Sequence, residues 1–585
     1  MQDLIQTMPE AMGRLPVDRQ NMRRCQLTGL YREQTPPIGG RPREFLTYLA
    51  PELEYDRNAV LVVPPSGCDP VRFLEESGLR ALADEEKFFL HLLVPEAGGW
   101  ALDGETAGAV QGMFAAVTSR QYYVTMVKQD NFYLLGFGDG ADAALQAATR
   151  LPQPRQDAQG NTLPPVSEDS DLFSAVGLFG TLTGQGLAFL REEQCPLPVW
   201  LWDSPGQPGA DRQALERLRR VNGCEETVYS GDGADQLWQP SPVRVRSEVN
   251  EERIAQVRFT AREHWTPDDV KQTLEFLFRH RRHVSFGHKN LRYYKDPDKM
   301  GAELRTLTVD GWGRRWYEYV PESVRRNGQP APLVLTLHAR GMDAAGFFDI
   351  SGMSCVAEER GFICCFPESG VYQPKPDGLA TVPLWEGFYG DTPFDDIRFL
   401  RAMVEDIAAR LPVDRSRIYA CGQSSGGMMC SELAWYASDL FVAVACFSGL
   451  WIERERRNHY PESVQPVPLL FLYGDRDWLV SAPEPAEGYP FPLQEEMRRR
   501  LDEWRAKYSL TGEPERYRNR PIDYCCYRDG QNIPMLTVGM VENMPHCNFP
   551  GESWIAWDEF FCRFRRLEDG SLEYQGKVIR PVPEQ

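Results

Sequence analysis

The sequence predicts an α/β protein built twice, as two tandem domains over residues 1–295 and 296–585, each a mostly parallel sheet flanked by helices. Three observations lead there. Apolar stretches of about 5 or 6 residues alternate with amphipathic stretches of helical length, the pattern of a parallel sheet covered on both faces. Several segments recur in the same order at a spacing of about 270 to 290 residues, the mark of an internal repeat. At 585 residues the chain also exceeds what one core usually organises.

Taken in order, the repeat begins with Phe45 to Glu52, whose counterpart is Trp316 to Glu322. An apolar strand and a polar turn follow in each copy: Ala59 to Val63 before Pro64-Pro65-Ser66-Gly67, and Leu333 to Leu337 before His338-Ala339-Arg340-Gly341. Phe132 to Phe137 then runs into Gly138-Asp139-Gly140, where the second copy has Gly422-Gln423-Ser424-Ser425-Gly426. Ser174 to Gly180 resembles Val442 to Gly449, and Leu274 to Arg282 resembles Asp558 to Arg566. In the second copy Asp395 to Leu411 carries Ile397, Leu400, Val404, Ile407 and Leu411 at helical spacing. The boundary falls in the polar segment His288 to Ala302, and Pro152 to Asp171 reads as an irregular loop.

Composition excludes some classes. A formal charge of −20 argues against a phosphate-backbone binder, which needs clustered Lys and Arg. No basic segment precedes an apolar run in Met1 to Arg24, and no stretch approaches the roughly 20 apolar residues that cross a bilayer. The protein is therefore expected to be cytoplasmic, without nucleic-acid or membrane partners, with room left for a homodimer. Its 14 cysteines, including the neighbours Cys364-Cys365 and Cys525-Cys526, read as free buried thiols. No metal or cofactor is expected, since His280, His283 and His288 lack a cysteine or carboxylate at ligand spacing and read as a solvated helix end.

The chemistry concentrates in Arg417 to Gly427. It reads as an apolar strand, then Gly-x-Ser-x-Gly, then a helix opening at Met428. A serine so placed sits on a tight turn with its hydroxyl exposed, and the next backbone N–H lies beside the reacting carbon. It needs a base, and the base needs an orienting carboxylate. Downstream, the apolar strand Pro468 to Tyr473 ends in Gly474-Asp475-Arg476-Asp477, so either Asp475 or Asp477 could supply that carboxylate. His546 lies in a loop before the last helix, and the only other histidine after Ser424 is His459. Chain order favours His546.

Over residues 305 to 566 these motifs resemble the polyhydroxybutyrate-depolymerase and feruloyl-esterase group of α/β-hydrolases, related to the family 1 carbohydrate esterases. The resemblance rests on Asp395-Asp396-Ile397, Arg417-Ile418-Tyr419, Ser424, Tyr473-Gly474-Asp475-Arg476-Asp477-Trp478-Leu479-Val480, His546, Pro550-Gly551 and Phe560-Phe561. It implies two α/β-hydrolase-like domains and assigns the acid to Asp477. It implies oxyanion donors at the backbone of Arg340 and Ser425, with alanine at 339 where the group usually has glycine. Acyl transfer would proceed through Ser424, with His546 as base and Asp477 holding its tautomer. Trp478 and Trp385 are candidates to line an acyl pocket, beside the reading that they are packing aromatics. The substrates implied are small or oligomeric esters: hydroxycinnamoyl or acetyl sugar esters, or short hydroxyalkanoates.

At the matching turn the first copy has Gly138, which can form no acyl-enzyme, so it reads as a pseudo-hydrolase. His264 aligns roughly with His546, and Asp203 falls a few residues before the acid position. Two other functions compete. A prolyl-oligopeptidase-type peptidase would need a propeller before the hydrolase, and a non-catalytic binding protein would need Ser424, Asp477 and His546 far apart.

Overall fold

A computed structural model describes residues 5–8, 17–38, 41–119, 131–156, 162–165, 171–193, 195–204, 210–241, 254–283, 290–372, 382–385, 394–450, 460, 465–548 and 551–579. The chain divides into two compact units, the main body of the first ending at Tyr294 and that of the second beginning at Lys295. Each is an α/β unit with a large, mostly parallel sheet.

In the second unit the sheet runs Glu303–Val309, Trp312–Tyr319, Ile363–Pro367, Ala331–Leu337, Val413–Gln423, Ala443–Phe447, Leu469–Gly474, Pro534–Val541, Ile522–Arg528, Glu515–Asn519. The six strands from Ile363–Pro367 to Pro534–Val541 are parallel, and the flanking ones antiparallel. Ala331–Leu337 and Leu469–Gly474 are buried at every residue, as expected of strands covered on both faces.

The first unit has the same order: Gly29–Gln34, Glu44–Leu49, Phe89–Leu93, Ala59–Val63, Phe132–Phe137, Ala175–Phe179, Val199–Asp203, Val257–Ala261, Ala234–Trp238, Tyr229–Gly231, with Gln6–Thr7 added at the near edge. The repeat reaches single hydrogen bonds. Tyr133 donates to the His280 carbonyl at 2.7 Å, and Tyr419 to the Phe564 carbonyl at 2.6 Å. Buried Arg282 donates to the Phe173 and Pro196 carbonyls, as buried Arg566 does to those of Phe441 and Pro466. Such arginines offer the fork of donors that several loop carbonyls need once water is excluded.

The helix read over Asp395 to Leu411 forms as Asp396–Arg410. Asp395 caps it by accepting the Arg398 N–H, and Ile397, Phe399, Leu400, Met403, Val404 and Ile407 are buried. Asp396 instead forms a buried ion pair with Arg314 at 2.5 Å. The last helix is irregular: α over Glu552–Trp554, π over Ile555–Phe560, then 3-10 over Phe561–Arg563. Its wider turn accompanies the stacking of Trp557 on Phe362 and of Phe561 on Tyr419.

One expectation is corrected. His280 is not on a solvated helix end but in the strand His280–His283, fully buried, where desolvation pushes its pKa down to about 3. Its ring nitrogens lie 3.0 Å from the Phe276 carbonyl and 3.3 Å from that of Ile254. The His283 side chain and His288 lie outside the described residues. Among the described residues no cluster of His, Cys, Asp and Glu could hold a metal ion, and no helix is long and apolar enough to cross a membrane.

Candidate active site

The strand Val413–Gln423 delivers Ser424 into the helix Ser425–Tyr436. Ser424 has φ +52° and ψ −115°, a strained conformation for a residue with a side chain. The neighbouring glycines make that turn sterically accessible. A Cβ on Gly422 would sit 2.6 Å from the Gly426 carbonyl carbon, and one on Gly426 would sit 2.2 Å from the Leu337 oxygen. The Ser424 N–H is anchored on the Phe447 carbonyl at 2.7 Å, while its own carbonyl accepts the Met428 N–H and starts the helix.

Asp477 and His546 converge on this serine. The Asp477 carboxylate is fully buried, accepting the Leu479 N–H at 3.0 Å on one oxygen and facing His546 Nδ1 at 2.8 Å with the other. An ionised carboxylate only accepts, so the network places the imidazole proton on Nδ1. The Nε2 lone pair then faces the Ser424 hydroxyl at 3.0 Å. The histidine loop is fixed from both sides. Arg476 donates its backbone N–H to the Met544 carbonyl at 3.0 Å and its guanidinium to Asn543 at 2.5 Å. Buried Asn548 donates to buried Glu552 at 2.6 Å. Asp475 takes no part: its N–H binds the Val541 carbonyl, and only Asp477 reaches the ring.

The turn after Ala331–Leu337 is equally constrained. Buried His338 donates from Nδ1 to the Ala339 carbonyl at 2.7 Å and accepts the Ser369 N–H on Nε2 at 3.0 Å. Trp385 donates its indole N–H to the His338 carbonyl at 2.8 Å, and the Gly341 N–H binds the Pro383 carbonyl at 2.9 Å. Gly341 carries the positive φ, +73°, whereas Ala339 is not among the positive-φ residues, which explains why alanine is accommodated there. Among the described residues no acceptor engages the Arg340 N–H. The Ser425 N–H stands at the first helical position, where no intrahelical acceptor exists.

The two tryptophans part company. Trp385 is 1 % exposed with its N–H engaged, so it supports the His338 turn and offers no face to a pocket. Trp478, in the turn after Asp477, is 74 % exposed. The stapling by His338 and Ser369 leaves one mark in the sequence, a histidine at the end of a mostly apolar strand.

The first unit keeps the turn without the serine. Gly138 has φ +57° and its N–H binds the Phe179 carbonyl at 2.8 Å, the bond Ser424 makes to Phe447. Strand register pairs Val63 with Gly136 and Leu337 with Gly422, so Ser66 stands level with Arg340, and Asp139 with Ser425. The Asp139 carboxylate accepts the Ser66 N–H at 2.8 Å. An anion of the chain itself thus occupies the donor that corresponds to the Arg340 N–H. Around it Phe137 stacks on Phe179 at 4.7 Å, and Trp265 packs on both. His264 is exposed, and pairing of Ala261 with Asp203 and of Met540 with Tyr473 puts it level with Asn543, three residues short of His546. Asp203 accepts from Thr181 at 2.7 Å, and Gln207, level with Asp477, lies outside the described residues.

No family model matches the chain. It is 33% identical over 181 residues to NocK of Nocardia uniformis subsp. tsuyamanensis, itself an esterase by assignment, covering 30% of this chain and 48% of NocK. It is 32% identical over 154 residues to feruloyl esterase B of Thermothelomyces thermophilus, covering 26% of this chain and 50% of that protein. The chain spans about half the length of the curated relatives it matches. An acetyl xylan esterase structure from Aspergillus awamori aligns over 44% of this chain and 98% of its own, at 14% identity and a TM-score of 0.31. The fold rests on the chain's own sheet order.

Proposed function

We propose that the second unit is a serine carboxylesterase acting on small or oligomeric esters through an acyl-enzyme on Ser424. One observation carries the reading: the continuous chain Ser424 Oγ, His546 Nε2, His546 Nδ1, Asp477 Oδ2, with steps of 3.0 and 2.8 Å, on a serine held at positive φ. His546 takes the Ser424 proton as the oxygen attacks the ester carbonyl, and Asp477 stabilises the imidazolium. The backbone N–H groups of Ser425 and Arg340 receive the developing oxyanion. The protonated histidine then releases the alcohol, and water repeats the sequence to free the acid. That Asp139 holds the Ser66 N–H in the sister unit supports the Arg340 assignment, because the equivalent donor there faces an anion beside the elbow.

The similarity to feruloyl esterase B and acetylxylan esterases supports hydroxycinnamoyl or acetyl sugar esters as substrates, with short hydroxyalkanoates as the next class. Exposed Trp478, beside the acid, is the residue proposed to contact an acyl or sugar ring. The first unit is proposed to be a pseudo-hydrolase. The peptidase reading loses support, because the first unit is a mostly parallel sheet and no propeller. Hydrolysis of p-nitrophenyl esters from acetate to octanoate, and of ferulate esters, by wild type and Ser424→Ala tests the proposal. Turnover by wild type that vanishes in the variant is expected. Equal rates in both would overturn it.

A further inference from the structure

Arg340 carries two different groups at one place. Its N–H is a proposed oxyanion donor, and its side chain leaves the same Cα, which the His338, Trp385 and Pro383 bonds hold in position. The side chain is exposed, and among the described residues no carboxylate or carbonyl engages its guanidinium. Elsewhere in the unit arginines are routinely matched with acids: Arg315 with Glu368, Arg401 with Asp439, Arg410 with Glu318, Arg415 with Glu405. In a chain of net charge −20 a cation that meets no acid among the described residues, beside a proposed oxyanion site, calls for an explanation. The sister unit sharpens the contrast. There the level residue is Ser66, without charge, and the acid Asp139 stands beside it; here a cation replaces the serine and Ser425 replaces the acid. At the position where the first unit places Asp139 the second unit has no acid, and a cation stands where the first has Ser66.

We infer that the Arg340 guanidinium recognises an anionic group on the substrate, so that the preferred esters carry a carboxylate within reach of one arginine side chain, roughly 7 Å, from the scissile carbonyl. The inference rests on the serine-esterase reading and adds the substrate's charge to it. A guanidinium at this position offers a bidentate fork to a carboxylate on the acyl chain or on the alcohol. The overall negative field disfavours anions at long range, so selectivity comes from this local contact.

Two substrate pairs that differ in charge test it: mono-p-nitrophenyl glutarate against p-nitrophenyl butyrate, and 3-butyryloxybutanoate against its methyl ester. Wild type should favour the anionic member of at least one pair in kcat/KM. Arg340→Met should lower that preference by about tenfold, mainly through KM, as expected for losing a hydrogen bond to a charged group. Arg340→Lys should restore part of it, since charge remains while the fork is lost. A wild-type preference for the neutral member of both pairs, or a ratio that Arg340→Met leaves unaltered, would overturn the inference while the esterase reading stands. Absence of turnover on all four, with no fluorophosphonate labelling of Ser424, would overturn the reading beneath it.

Discussion

Asp477→Asn isolates the proposed orienting carboxylate without changing side-chain size. In the native site one oxygen accepts the Leu479 N–H at 3.0 Å and the other faces His546 Nδ1 at 2.8 Å. An asparagine keeps one acceptor. If it stays on the Leu479 N–H, the amide NH₂ points at Nδ1, which must then accept. The ring proton moves to Nε2, facing the Ser424 hydroxyl it should deprotonate. The general base is lost although every atom stays in place. For a serine triad such a tautomer reversal costs about 10⁴-fold in kcat, or ~5.4 kcal/mol of transition-state stabilisation. KM should change little, because no substrate contact is removed. The assay is steady-state hydrolysis of the best p-nitrophenyl ester, alongside thermal unfolding to show an intact fold. Asp475→Asn is the control: it lies two residues away on the same turn, does not touch His546, and should hold kcat within about twofold. If Asp477→Asn keeps a tenth of wild-type kcat, or Asp475→Asn falls as far as Asp477→Asn, the assignment of the acid is refuted.

Two further outcomes compare the copies, and a third tests the glycine turn at Gly422. Ser425→Asp places a carboxylate where Asp139 stands in the first unit, so it should occupy the Arg340 N–H and lower kcat by about 10² or more, with the fold retained by circular dichroism. Wild-type turnover in that variant would contradict the assignment of the donor. Gly138→Ser in a Ser424→Ala background should remain unlabelled by a fluorophosphonate, because Asp139 holds the Ser66 N–H and His264 is exposed and short of the base position. Gly422→Ala puts a Cβ 2.6 Å from the Gly426 backbone, and overpacking of about 1–3 kcal/mol should lower Tm by several degrees in a calorimetric scan.

Much of the fold was legible because its signals are local. Ile418 to Cys421 is an apolar run into glycine, and Asp396–Arg410 shows its buried face at helical spacing behind an N-cap aspartate. The repeat was readable from segment order, and the sheets share one strand order. Chain order selected His546, which meets Ser424 and Asp477 in space. What escaped depends on partners distant in sequence. His280 sits among polar residues, so its burial against Phe276 and Ile254 has no sequence mark. Trp385 and Trp478 look alike in the sequence, and only the His338 carbonyl, 47 positions away, separates a support from an exposed ring. The Asp139 contact to Ser66 spans 73 positions and emerges only once strand register sets the two turns side by side. The π turn at Ile555–Phe560 likewise follows tertiary stacking on Phe362, which no helical periodicity reports.

The central claim is that Ser424 is a nucleophile activated by His546. Intact-mass analysis after fluorophosphonate treatment, with the adduct mapped by peptide sequencing, tests it most directly. The account predicts one adduct per chain, on Ser424, absent from Ser424→Ala and strongly slowed in His546→Ala. No adduct on the folded wild type, or an adduct that persists in Ser424→Ala, would contradict it.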